Sequence, residues 1–182
     1  MAYTRKRIYI VDGYNVIRSG SRYKTIMGPD YTHEAFNKAR DTLINDVVNY
    51  AGREARAIIV FDAQDNAESL GRMESVGHIK IMFSPAGTSA DKVIEKLAHD
   101  YREKGIETIV VTSDASIQDT VFGGGVDRMS AEGFSQEMND YDDEVHVEDT
   151  FQTTSKRTIA GRISPETLAK LIKMRDEAGR SS

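Results

Sequence analysis

The sequence contains no cysteine and no tryptophan. A disulfide framework, a thiolate metal centre and a cysteine nucleophile are thereby excluded. No apolar run approaches the roughly 20 residues that a membrane span requires. The amino-terminal stretch MAYTRKRIYIVDG is basic, but its apolar segment, IYIV, is too short for a secretory signal, so a soluble, cytoplasmic chain without membrane association is expected. Several catalytic signatures are missing too. There is no GxxxxGK[ST] phosphate loop, and Gly123–Gly125 follows a helical pattern without the GxGxxG spacing of a dinucleotide site. No GxSxG elbow occurs, and a phosphatase Asp-x-Asp pair starting at Asp12 would need an acid where Tyr14 stands. His33, His78, His99 and His146 are scattered without HExxH or HxH spacing, which disfavours a zinc hydrolase.

What remains is a chain of 182 residues, long enough for one domain with a real core and a short extension. Its net charge of -5 is unevenly distributed. Eight of the 29 acids (Glu132, Glu137, Asp140, Asp142, Asp143, Glu144, Glu148 and Asp149) fall in 132–149, which holds no Lys or Arg. The other 21 acids face 24 Lys and Arg, a balance of +3, and residues 150–182 carry seven basic residues against three acids. Such asymmetry is compatible with a polyanion-binding face beside a solvated acidic segment.

Four short runs, Arg7–Val11, Ala57–Phe61, Ile79–Phe83 and Thr108–Thr112, are almost continuously apolar, as strands buried on both faces of a parallel sheet must be. Helical spacing lies between them, over Glu34–Ala51 and over Asp91–Tyr101, with Gly105 as a stop. The alternation predicts an α/β domain with a mainly parallel sheet flanked by helices. Further on, a short helix is expected over Ala115–Val121, a fifth strand over Val126–Met129 and a helix with an exposed face from Ala131 to about Val147. A polar loop over Thr150–Thr158 and a final helix from Ser164 to Ala178 complete the pattern, with Ser164 as cap and Pro165 at the first helical position.

The placement of aspartates is the most informative feature. Asp12 directly follows RIYIV, Asp62 directly follows AIIVF, Asp114 lies one Ser beyond TIVVT, and Asp91 opens a helix. In a parallel sheet the carboxyl ends of the strands share one edge, where the crevice lies. Carboxylates gathered there repel one another unless a positive group compensates them. A hard divalent cation, Mg²⁺ or Mn²⁺, suits an all-oxygen donor set and phosphodiester cleavage. Each residue also has a plainer reading: Asp12 as a turn in Asp-Gly, Asp91 closing a capping box with Thr88, Asp114 as a helix cap, Asp62 as a loop acid, and Glu95 as a solvent-facing helix acid. Asn15 could bind a ligand oxygen, hold Asp12 in place, or merely start a helix. Arg18, Arg22 and Lys24, interleaved with Tyr14 and Tyr23 in a Gly/Ser-containing loop, suit a surface that tracks phosphates and stacks bases. Such a loop can equally be plain exposed surface. Lys156, Arg157 and Arg162 are secondary candidates of the same kind.

The blocks IVDGYNVI at 10–17, VFDA at 60–63, SADKVIEKLA at 89–98, VTSDASIQ at 111–118 and FGGGVDRMSAEGF at 122–134 together resemble the NYN domain family of PIN-like nucleases, in its YacP-type bacterial branch. The resemblance implies a PIN-like three-layer α/β sandwich, with 1–150 as the nuclease domain and 151–182 as a loop and helix packed on it. It implies a metal-dependent endoribonuclease acting on single-stranded RNA, with cleavage of mRNA on the ribosome as its setting. The family's first acid and its Asn map onto Asp12 and Asn15, and its later acids onto Asp91 and Asp114; Asp62 matches the FDA block. The expected site is therefore Asp12, Asn15, Asp91 and Asp114 for catalysis, Asp12, Asp62, Asp91 and Asp114 for Mg²⁺ or Mn²⁺, and Arg18, Arg22 and Lys24 for the RNA backbone. A non-catalytic RNA- or ribosome-binding module and a structure-specific DNA nuclease are the competing readings. The oligomeric state is left open.

Overall fold

The apolar run IYIV lies at the centre of the sheet, where both faces are covered. The computed structural model describes residues 7–52, 55–63, 71–117 and 125–145. In order these form β1 (Arg7–Asp12), α1 (Gly13–Ser19), α2 (Ser21–Met27), α3 (His33–Ala51), β2 (Ala55–Phe61), β3 (Met73–Val76), β4 (Ile79–Phe83), α4 (Ala90–Glu103), β5 (Glu107–Val111) and β6 (Val126–Met129). A helical turn spans 115–117, and the backbone is helical over 131–145. The chain divides into two compact units, Met1–Asn139 and Asp140–Ser182. Residues 131–139, termed α5, belong to the first; of the second, the described residues 140–145 are helical.

The sheet has the order β3-β4-β2-β1-β5-β6, and every pairing is parallel except β3 with β4. Alternation along the strands divides the core. On β1, Tyr9 and Val11 face one side with Ile59 and Phe61 of β2, against Val16, Ile17, Tyr23, Leu43, Val47 and Phe134 from α1, α2, α3 and α5. Ile8 and Ile10 face the other side with Ile58 and Val60, against Ala90, Ile94 and Ala98 of α4. The result is the mainly parallel three-layer α/β architecture that the strand and helix periodicities predict, and all five expected strands are present, two with the expected bounds and three with ends shifted by one or two residues.

Three elements depart from expectation. The segment carrying Arg18, Arg22 and Lys24, expected as a loop, is instead two seven-residue helices, α1 and α2, broken at Gly20. They are anchored by burial of Val16, Ile17, Tyr23 and Met27, and tertiary packing outweighs weak intrinsic helicity in such short elements. Glu132 of α5 reinforces them by accepting hydrogen bonds from the backbone N–H and the hydroxyl of Ser21, both at 2.9 Å, which satisfies the start of α2 where Gly20 has no side chain to do so. Strand β3 was not expected; it is a short, mostly exposed edge strand without a clear apolar alternation. In addition, the helix α4 is capped by Ser89, whose hydroxyl accepts from Lys92 N, rather than by Thr88, so Asp91 is not part of a capping box begun there.

Expectations for residues 118–121 of the short helix, Gly123 and Gly124, residues 146–149 of the acidic segment, the Thr150–Thr158 loop, Lys156, Arg157, Arg162 and the Ser164–Ala178 helix lie outside the described residues. Among the described residues, no helix is long and apolar enough to cross a membrane.

Candidate active site at the carboxyl edge of the sheet

The chain leaves β1 to build β2 and β4 on one side, then crosses back to place β5 on the other side of β1. The carboxyl ends of β1 and β5 thus flank a topological switch point, where α/β sheets form their crevices. Asp12 ends β1, and Thr112, Ser113 and Asp114 follow β5. By the same alternation that divides the core, Asp12, Asp62 and Thr112 continue the faces of Ile10, Val60 and Val110, which is the α4 side. Asp91, in the first turn of α4, approaches from that side.

Asp12 is the most constrained of these groups. It is 6% exposed, and its carboxylate caps α1 by accepting from Asn15 N at 3.2 Å, with the Thr112 hydroxyl donating at 3.4 Å. Burial pushes its carboxyl up to about 6 against the lowering effect of the Asn15 bond, and the charges of Asp91 and Asp114 push in the same direction. Asp91 is also raised, first by desolvation and then by Asp114, Asp62 and Glu95. Five carboxylates therefore share one field. Asp114 is held below the usual carboxylate range, because Ser116 donates to it from both its backbone N–H and its hydroxyl, each at 2.8 Å. The helix-cap reading of Asp114 is thus realised, on the turn at 115–117, while its charge still acts on Asp12 and Asp91. Gly13 is not a turn glycine. It is the first residue of α1, and a Cβ there would lie 2.3 Å from the buried Phe61 ring, so glycine lets the helix start close against β2.

Asn15 ties the two sides of the crevice together. Its backbone N–H holds Asp12, and its side-chain oxygen accepts from Ser113 N at 2.8 Å. The Ser113 hydroxyl in turn accepts from Ala131 N at the start of α5, and Thr112 accepts from Asp114 N at 3.1 Å while its backbone N–H donates to Met129 O. Asp62 is fixed by Ser84, a fully buried residue just past β4, whose hydroxyl donates to it at 3.1 Å and accepts from Ala63 N at 3.0 Å. Reading the acids along the sequence misses both Thr112 and Ser84. Thr112 stands inside the VTSD block, but a lone Ser after IKIMF carries no sequence signal of its burial.

The three basic candidates separate. Arg18 is exposed and lies over the Tyr14 ring, 5.8 Å from its centroid. Arg22 is turned away from the acids: its guanidinium grips the buried Asp46 of α3 at 2.8 and 3.0 Å and reaches Asn139 at 2.9 Å. Tyr23, buried, donates to the same Asp46 at 2.9 Å, so neither residue forms an exposed base-stacking loop. Lys24 lies within the field of Glu132. We expect Arg22→Ala to lower stability by about 2 kcal/mol by stranding Asp46. Urea unfolding would register that loss, and adding Asp46→Ala should restore part of it.

The donor chemistry fits a hard cation. The acids gathered there offer oxygen donors, and Asp12 and Asp91 are raised first by burial and then by neighbouring carboxylates, a desolvated negative charge that a cation would offset. Among the described residues no group of three or more acidic or imidazole side chains is placed to hold a metal ion. An ion at this edge would therefore be held through one or two carboxylates, with water completing its shell, as is usual for Mg²⁺.

Comparison with known proteins agrees with this architecture. The family model for the YacP-like NYN domain matches residues 9–176. The Bacillus subtilis (strain 168) protein YacP is 31% identical over 158 residues, spanning 86% of this chain and 88% of the relative. The crystal structure of Bacillus subtilis Rae1 (YacP) superposes with a TM-score of 0.65 at 28% identity, over 96% of this chain and 98% of that one. A point mutant of Rae1 gives a TM-score of 0.64 at 29% identity, over 80% and 82% of the two chains. The strand-end acids, the sheet order and the extent of these matches lead to one assignment: the chain belongs to the YacP-like NYN domain family, a nuclease-type family.

Proposed function

We propose that this protein is a divalent-metal-dependent endoribonuclease that cuts single-stranded RNA internally, with mRNA on the cytoplasmic ribosome as its setting. The observation that carries the reading is the shared field of Asp12, Asp62, Asp91, Asp114 and Glu95 at the switch point, with Asp12 kept buried at a cost to the fold. A docking module would have no use for that cost.

In this reading Asp12 and Asp91 hold Mg²⁺ or Mn²⁺, with Asp114 and Asp62 contributing directly or through water. The ion supplies neutralising charge at the scissile phosphate and lowers the pKa of an attacking water. The chain's own groups do the rest. Thr112 and the Asn15 backbone fix the Asp12 carboxylate, and Ser84 fixes Asp62. The Asn15 side chain keeps the Asp114 loop in register with α1 by holding Ser113 N, so its work is positioning. Arg18, exposed in the last turn of α1, is the basic candidate for contact with the RNA backbone in this reading.

The test uses the full chain with end-labelled single-stranded RNA, with and without ribosomes and with and without Mg²⁺ or Mn²⁺. Internal fragments that require the ion and vanish with Asp91→Asn are the expected result. RNA or ribosome binding without cleavage under every condition would replace the proposal with a docking role. Faster cutting of flapped DNA than of RNA would make the protein a DNA nuclease.

A further inference from the structure

The carboxyl edge has a second bank. Phe61 and Phe83 end β2 and β4 as paired residues and stack with ring centroids 5.7 Å apart. Tyr14, in the first turn of α1, lies 5.1 Å from Phe61, and Phe36, near the start of α3, lies 5.5 Å from Tyr14. The row is graded in exposure: Phe61 is fully buried, whereas Tyr14, Phe36 and Phe83 are half-buried. These rings pack with the α1–α3 face of the core, opposite to the α4 face on which Asp12 and Asp62 continue. Asp62 is nonetheless the residue after Phe61, and Asp12 lies two before Tyr14.

A single-stranded nucleotide has the matching division. Its phosphate is anionic and needs the ion-bearing side, while its base is a flat π-surface that stacks on aromatic rings whatever its identity. Arg18, exposed one helical turn after Tyr14, adds a planar cation that can stack on the ring or pair with a neighbouring phosphate. We propose that Tyr14, beside Phe36, backed by the stacked Phe61 and Phe83 and covered by Arg18, forms a base-stacking subsite for a nucleotide next to the scissile phosphate of single-stranded RNA. This inference rests on the nuclease reading and adds to it where the unpaired base is held.

The test measures fluorescence anisotropy in the full-length Asp12→Asn background, which removes cleavage and one repelling carboxylate together. The probes are a short single-stranded RNA and an abasic strand of equal length. Tyr14→Leu should weaken RNA binding about tenfold, the loss of one stacked base, and leave the abasic strand unaffected. Tyr14→Phe should bind as its parent does. Because Tyr14 also packs on Phe61, the exposed Arg18→Gln is the second variant, expected to weaken RNA binding several-fold without altering thermal stability. RNA affinity unchanged by both Tyr14→Leu and Arg18→Gln would overturn the subsite, and the nuclease reading would survive if the wild type still cut RNA. Discrimination by Tyr14 without any wild-type cleavage would keep the subsite and remove the chemistry. No RNA binding by the parent would remove both.

Discussion

Asp12→Asn should abolish RNA cleavage and, at the same time, make the ion-free fold more stable. The loss of activity is expected to be roughly a thousandfold or more, the range associated with removing a principal electrostatic contributor at a reacting centre. The gain in stability follows from the raised carboxyl. With its folded value near 6 and its ordinary value at 3.8, Asp12 binds more protons folded than unfolded between those limits. Stability from this group is therefore complete below about pH 4, falls as pH rises through 6, and stays low above it. The deficit at neutral pH is on the order of 3 kcal/mol. Asparagine keeps an oxygen to accept from Asn15 N and Thr112 and carries no charge, so the variant should lack the decline between pH 4 and 6. Urea unfolding across that range, alongside a cleavage assay at neutral pH, checks both halves. A variant that lost stability at neutral pH would show that the cap on α1 outweighs the repulsion.

Divalent ions should change both turnover and melting. Chelation is expected to remove cleavage completely. Saturating Mn²⁺ at about a hundred times its dissociation constant should stabilise the wild-type fold by about 2.7 kcal/mol, a rise of several degrees in Tm. Because the ion competes with the proton at Asp12, the stabilisation should weaken as pH falls below 6. Asp12→Asn should show little of it at any pH. Calorimetric scans of the two proteins with Mn²⁺, Mg²⁺ and chelator distinguish a bound ion from a general salt effect, which would raise both melting curves alike.

Much of the fold is legible in the sequence because the central strands are buried on both faces. Runs such as AIIVF and TIVV can hardly be placed elsewhere, and α3 and α4 carry long apolar stripes that end in glycine. Helices α1 and α2 are hidden because each has only seven residues, and the group that satisfies the start of α2 is Glu132, 111 positions away. Strand β3 is hidden because MESV has no apolar face to display. The acids are legible for a topological reason, since residues ending parallel strands must meet at one edge. The roles of Thr112 and Ser84 depend on register and burial, which spacing does not record. Arg22 misleads for the opposite reason: its partner Asp46 lies on the buried face of α3, three residues after Leu43 and seven after Ala39, where an acid is read as an interruption of the apolar stripe and not as a buried partner.

The position of the switch point also governs when the crevice can exist. Asp12 leaves the synthesis machinery 100 residues before Thr112, which helps to fix it once β5 has joined the opposite flank of β1. A growing polypeptide therefore carries this acid without its partner until β5 has been made. Ordering the strands in this way makes the crevice a late product of assembly, since a nascent chain that ends before β5 lacks one of its two walls.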